Sequence, residues 1–208
     1  MRKKSHISLA KFLLDNVKEH KLIKHKKAFY IGSILPDLKP SFLTRKHTIE
    51  ETFDILINEI RKITVDYDVS KGIGSYFARH LGVITHYLAD YCTLPHNSVY
   101  TGTITDHVYY EKEMKFRLKE YIELEDIHSQ ALKGQKLHTF DDIVRFIIKT
   151  HNEYLSELKA VKQDIRYIIE LCSKVVDAIL TFIKMALANV EGGNKYGLHF
   201  YGATEISA

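Results

Sequence analysis

Apolar residues recur along most of the chain at three- and four-residue steps, the period of an amphipathic α-helix. His6, Ala10, Leu13 and Val17 share one face and predict a first helix over about residues 5–20. Ile49, Phe53, Leu56, Ile57 and Ile60 predict a second, from near His47 to Ile63. A third covers about 72–92. One of its stripes is Ile73, Phe77, Leu81, Ile84, Leu88 and Tyr91; another face carries Gly82, His86 and Asp90 at four-residue steps. A helix with two occupied faces belongs at the centre of a bundle. A fourth helix is expected to begin near Asp106. Thr139-Phe140-Asp141-Asp142 reads as a helix start, with Thr139 as N-cap and an acidic first turn. Val161, Ile165, Ile168, Cys172, Val175, Ile179, Phe182 and Ala186 then alternate four- and three-residue steps, the mark of a long packing helix.

The breaks are equally local. Lys18, Lys21, Lys24, Lys26 and Lys27 predict a basic loop after the first helix. Ile31-Gly32-Ser33-Ile34-Leu35-Pro36-Asp37, followed by Pro40, predicts a fixed, non-helical segment. Pro95 ends the third helix. The expected fold is therefore all-α: a single-domain, multi-helix bundle over residues 1–190. Its C-terminal packing helices lie at about 139–190, and an irregular, glycine-containing tail follows over 191–208.

Composition narrows the class without naming a function. The 208 residues suit one domain, and a hydrophobic share of 45% is enough for one sizeable core, which excludes a disordered chain. Thirty basic against 26 acidic residues leave +4, too little to indicate nucleic acid unless the charge clusters. Two cysteines exclude a disulfide scaffold. Lys11, Asp15, Lys18 and Glu19 interrupt any signal-like apolar core, and Asp177 and Lys184 interrupt the most apolar stretch, 175–190. A cytoplasmic protein without a membrane span is expected.

Twelve histidines are the compositional feature that carries chemistry. His86-x3-Asp90 and His107-x3-Glu111 are two helical i,i+4 pairs, each able to aim a nitrogen and a carboxylate at one ion. His96 lies between them, just after Pro95. Upstream, Asp37 follows Pro36 in a rigid turn, His47 opens the second helix and His6 the first. Either pair alone arises by chance; the ordered set of eight N and O donors is what indicates metal. Eight exceed the needs of one ion of coordination four or five and suit two or three. Donor type favours zinc, with Mn and Fe compatible. Gly82, on the His86–Asp90 face, marks close approach of a backbone or ligand.

Leu81-Gly82-Val83-Ile84-Thr85-His86-Tyr87-Leu88-Ala89-Asp90, then Pro95-His96, then His107-x3-Glu111, resembles the core signature of the zinc-dependent phospholipase C family, which shares its helical fold with fungal single-strand nucleases. The family's ligand order is matched over roughly residues 5–115. The resemblance implies one zinc at Asp37, His47, His86 and Asp90. Asp90 would bridge to an ion at His6, and a third would sit at His96, His107 and Glu111. Asp37 would also serve as base or orienter for the attacking water. Secreted members use an N-terminal tryptophan as a ligand beside the first histidine. This chain has no tryptophan, so the expectations for the His6 ion are that it is absent, weakly held, or completed by backbone near Ser5.

The resulting expectation is a zinc-dependent phosphoric ester hydrolase using two or three ions, acting on a phosphodiester by water attack. Phospholipid, nucleic acid and small phosphate esters all suit such a site. A nuclease or phosphomonoesterase on the same fold is one alternative. A helical binding module with structural or vestigial metals is another. An HD-type phosphohydrolase needs adjacent His-Asp, whereas Asp106-His107 runs the other way. His80, six residues before His86, points elsewhere around the helix and reads as packing. His20, His25, His128, His138, His151 and His199 have no donor at ligand spacing or lie on expected surface. Tyr87, Tyr109 and Tyr110 flank the ligands and read as packing or pocket lining.

Overall fold

The computed structural model describes residues 1–17, 19–38, 45–124, 137–157 and 160–191. Among these, eight α-helices follow one another: α1 (Lys3–Asn16), α2 (His20–Lys24), α3 (Lys26–Ile34), α4 (Ile49–Lys62), α5 (Ser75–Tyr91), α6 (Ile104–Leu124), α7 (Phe140–Ser156) and α8 (Val161–Glu191). Short 3₁₀ turns occupy Val69–Lys71 and Leu94–His96. The protein is all-α, as its periodicity predicts. The tail expected over 192–208, with His199, and the position of His128 lie outside the described residues.

Three local expectations need correction. Helix α1 stops at Asn16, short of His20, because the Asn16 amide donates to the Phe12 carbonyl at 2.8 Å and Val17 turns extended. Lys18 lies outside the described residues, but from His20 the lysine-rich stretch is largely helical, not a loop: Glu19 accepts the Lys21 N–H at the start of α2, and Leu22 and Phe29 are fully buried anchors for α2 and α3. The stretch from Ile31 to Ile34 is the end of α3; only from Leu35 does the chain leave the helix. Leu35 itself keeps helical dihedrals; Pro36, with no N–H to donate to the Gly32 carbonyl, is what stops the helix from continuing.

Helix α5 is the centre of the bundle. It packs on α1, α3, α4 and α8, and of its residues from Phe77 to Tyr91 only Arg79 and His80 escape burial. Its closest neighbour is α3. A Cβ placed on Gly82 would lie 2.3 Å from the Phe29 carbonyl oxygen, and one on Gly32 would lie 2.0 Å from that of Arg79. The two glycines therefore let the helix backbones touch. Helix α8 buries Ile165, Ile168, Cys172, Val175, Ile179 and Phe182, the stripe its spacing predicts. Thr139 and Asp142 form a reciprocal capping box at the start of α7. Helix α4 starts at Thr48, whose hydroxyl accepts the Glu51 N–H, so the cap fixes the residue directly after His47.

Candidate metal centre

Asp90 sits at the last turn of α5, fully buried, with a different set of neighbours at each oxygen. Its Oδ1 accepts from the α-amino group of Met1 at 2.6 Å and lies 3.4 Å from His6 Nε2. Its Oδ2 lies 3.0 Å from His47 Nδ1, 3.2 Å from His86 Nε2 and 3.7 Å from His96 Nδ1. His47 Nδ1 and His86 Nε2 are 3.0 Å apart, and Asp37 Oδ1 is 3.9 Å from the first and 3.8 Å from the second. His6 stacks on His86 with ring centroids 4.0 Å apart.

Each position has a local cause. The i,i+4 spacing on α5 brings His86 and Asp90 to one face. The Gly32–Gly82 contact brings the Ser33 carbonyl within 2.9 Å of His86 Nδ1, which donates to it. That bond fixes the tautomer and leaves Nε2 facing Asp90 as an acceptor. Tyr87 meets both His47 and His86 edge-on at 5.5 Å.

A second group lies beside the first. His96 ends its short 3₁₀ turn, and His107 and Glu111 share a face of α6, with Nε2 and Oε1 3.6 Å apart. Arg2 Nε donates to Glu111 Oε2 at 3.3 Å. This group is more open to solvent than the first. A cavity of about 730 Å³ reaches both, lined by Lys46, His47, Pro95, His96, Tyr100 and His107 among others. That volume lies within the range of ligand pockets.

Three sets of donors can each hold an ion: His6, Asp37 and His86; His47, His86 and Asp90; and His96, His107 and Glu111. The geometry fits zinc. Bonds of about 2.0–2.1 Å at tetrahedral angles place ligand atoms roughly 3.3–3.4 Å apart. The five separations among Asp37, His47, His86 and Asp90 given above run from 3.0 to 3.9 Å and bracket that edge. Hydrogen bonding alone does not satisfy the cluster, because both ring nitrogens of buried His6 lack a hydrogen-bond partner. An unsatisfied buried polar atom costs about 1–3 kcal/mol, and a cation would engage one of them.

Electrostatics favour the same occupant. Burial, with His86 beside it, pulls His6 down to about 3, and burial likewise pulls His96 to about 3 against the attraction of Asp90. Both imidazoles are therefore neutral near pH 7, with lone pairs available to a metal and no proton to displace. Burial works against ionisation of Asp90, but His96, the Met1 amine, His86 and His6 outweigh it and hold the carboxyl well below its usual range. Burial raises the Asp37 carboxyl above its usual value despite His86 nearby.

The profile of the family described as zinc dependent phospholipase C matches residues 5–161. The chain belongs to that family. Neither the curated proteins nor the solved structures contain a match. As a zinc-dependent phospholipase C relative, the chain carries a phosphoesterase-like, zinc-dependent role at the level of the family. All eight donors singled out in the sequence fall in the three groups. No described helix is long and apolar enough to cross a membrane.

Sequence reasoning did not reach three contributors. Beside His6 lies the α-amino group of Met1, 2.6 Å from Asp90 Oδ1. The Ser33 carbonyl that orients His86 left no sequence signal. Asp164, fully buried on α8, accepts from the Leu94 N–H at 3.2 Å and from the Tyr110 hydroxyl. It thereby ties the turn that carries His96 to the helix that carries His107 and Glu111. Its signal was present: a carboxylate inside the apolar stripe of Val161, Ile165 and Ile168. The remaining histidines are elsewhere. His80 pairs with Glu59 on α4, His25 with Ser75, and His151 is buried between Tyr91 and Tyr154.

Proposed function

We propose that this protein is a phosphodiester hydrolase of the phospholipase C type, with Asp37, His47, His86 and Asp90 as ligands of one zinc. In this reading Asp90 Oδ1 and His6 serve a second ion, and His96, His107 and Glu111 a third. The observation that carries it is the gathering of eight donors into three groups that share or adjoin residues, with His47, His96 and His107 also lining one cavity. Zinc at such groups supplies positive charge against that developing on a phosphoryl group and favours ionisation of water at neutral pH.

The residues themselves divide the remaining work. The cavity between His47 and the His96–His107 pair receives the ester. Asp37, its carboxyl made more basic by burial, takes a proton from water as the water oxygen bonds to phosphorus. The ester P–O bond opposite breaks, the leaving alkoxide takes up a proton from solvent water, and Asp37 returns its proton to solvent, which restores the carboxylate. Ser33 and Tyr87 keep the imidazoles in place by hydrogen bond and edge contact.

Purified protein is expected to contain more than one zinc per chain and to hydrolyse a chromogenic phosphocholine ester. Chelation should abolish turnover and added zinc restore it. Less than one zinc per chain, or turnover indifferent to chelator, would refute the reading.

Asp164→Ala is expected to weaken zinc at the His96 group about 10–100-fold, the usual effect of losing an orienting partner. Asp164→Asn keeps an acceptor for Leu94 and should recover most of it. Competition with a graded chelator reads this out as one ion released early while the others stay.

A further inference from the structure

Helix α6 carries a second feature on a face that adjoins its metal-binding pair. Met114 and Leu118 are buried, and the helix packs on α1 and α8. At 100° per residue, Ile104, Val108, Tyr109, Lys112, Lys115, Phe116 and Lys119 fall within one sector of about 140°. The four apolar members are open to solvent, at 87% for Ile104, 38% for Val108, 64% for Tyr109 and 66% for Phe116. Val99 adds another exposed apolar side chain in the preceding loop, next to the Tyr100 that lines the cavity.

The lysines are interleaved with this surface and not spread around the helix. Lys112 lies over the Tyr109 ring at 5.4 Å and Lys115 over the Phe116 ring at 5.3 Å. Among the described residues neither has a carboxylate partner. Glu113 and Glu120 lie beyond the sector and are engaged by Arg117 at 3.8 and 3.1 Å. Glu123 pairs with Lys119 at the far end, 3.6 Å away. A face of exposed aliphatic and aromatic side chains with lysines among them, whose one acid, Glu123, is paired with Lys119, matches the interface of an anionic bilayer.

We propose that this face of α6 is a membrane-docking surface for anionic phospholipid, seating the neighbouring cavity against lipid headgroups. The proposal rests on the reading of the site as a phospholipid hydrolase. His107 and Glu111 stand on the same helix as the docking residues, so the surface that would meet headgroups adjoins the proposed ligands. The aliphatic side chains of Ile104 and Val108 favour an acyl boundary over nucleic-acid bases, which stack on aromatic rings.

Co-sedimentation tests the surface without requiring turnover. The protein should pellet with vesicles of phosphatidylcholine containing phosphatidylserine as the minority lipid, far less with phosphatidylcholine alone, and less as salt rises. Lys112→Ala with Lys115→Ala should weaken partitioning by roughly fivefold per lysine, about 25-fold together. Ile104→Ser with Phe116→Ser should weaken it further. Neither pair should change turnover of a soluble chromogenic ester. Equal partitioning of variants and parent would overturn the proposal. So would preference for a single-stranded oligonucleotide over vesicles, or a dimer lost in Ile104→Ser with no vesicle binding. If vesicles bind as expected but no ester is hydrolysed, the catalytic reading falls and the surface stands.

Discussion

Asp90→Asn is expected to abolish hydrolysis and to release the ions nearest α5. The substitution keeps shape and volume but removes the charge that faces Met1, His6, His47, His86 and His96 together. Both carboxylate oxygens are used, each toward a different donor group, so one substitution should affect two ions. Losing several kcal/mol of charge stabilisation corresponds to a fall in turnover of about three orders of magnitude. Zinc per chain, measured beside turnover, should drop by the share assigned to those two groups, while the His96–His107–Glu111 group keeps its ion. A variant that retained its full zinc and near-parental activity would show that the α5 cluster is not the metal centre. Helix content by circular dichroism guards against the trivial outcome of an unfolded variant.

Gly82→Ala should produce the second large effect, on stability. Helix propensity alone would favour alanine by about 1 kcal/mol. Contact decides the other way. The new methyl would meet the Phe29 carbonyl oxygen at 2.3 Å and the Ser33 nitrogen at 2.7 Å. Both are backbone atoms of α3 and have no rotamer to escape into. Overpacking of this kind costs typically 1–3 kcal/mol, more where nothing yields. A net loss of about 2 kcal/mol lowers the melting temperature by roughly 4–8 °C for a domain of this size. Moving α3 away also draws the Ser33 carbonyl off His86, so zinc should be released more readily even below the melting transition. Gly74→Ala, with nothing within 4 Å of the added methyl, is the control and should cost under about 1 kcal/mol. An unchanged or raised melting temperature for Gly82→Ala would mean that the two helices do not touch as described.

The sequence by itself determined the helical class and the order of the eight donors. It marked the centrality of α5, and through Gly82 it flagged a close approach on the ligand face. These follow from periods of three and four residues and from single residue types, which are local properties of a chain. Helix ends were less secure where anchors outweighed charge. The run from Lys21 to Lys27 is too basic to read as ordered, yet buried Leu22 and Phe29 fold it. Only the tertiary structure could pair Gly32 with Gly82 and aim the Ser33 carbonyl at His86, contacts between residues about 50 positions apart. The same is true of the Met1 amine beside Asp90, and of Asp164 on the last helix tying the turn of His96 to the helix of His107 and Glu111. The physical reason is common to all of them. A metal ligand's type is written in its side chain. Its orientation depends on backbone carbonyls, amines and buried acceptors that packing brings from distant parts of the chain.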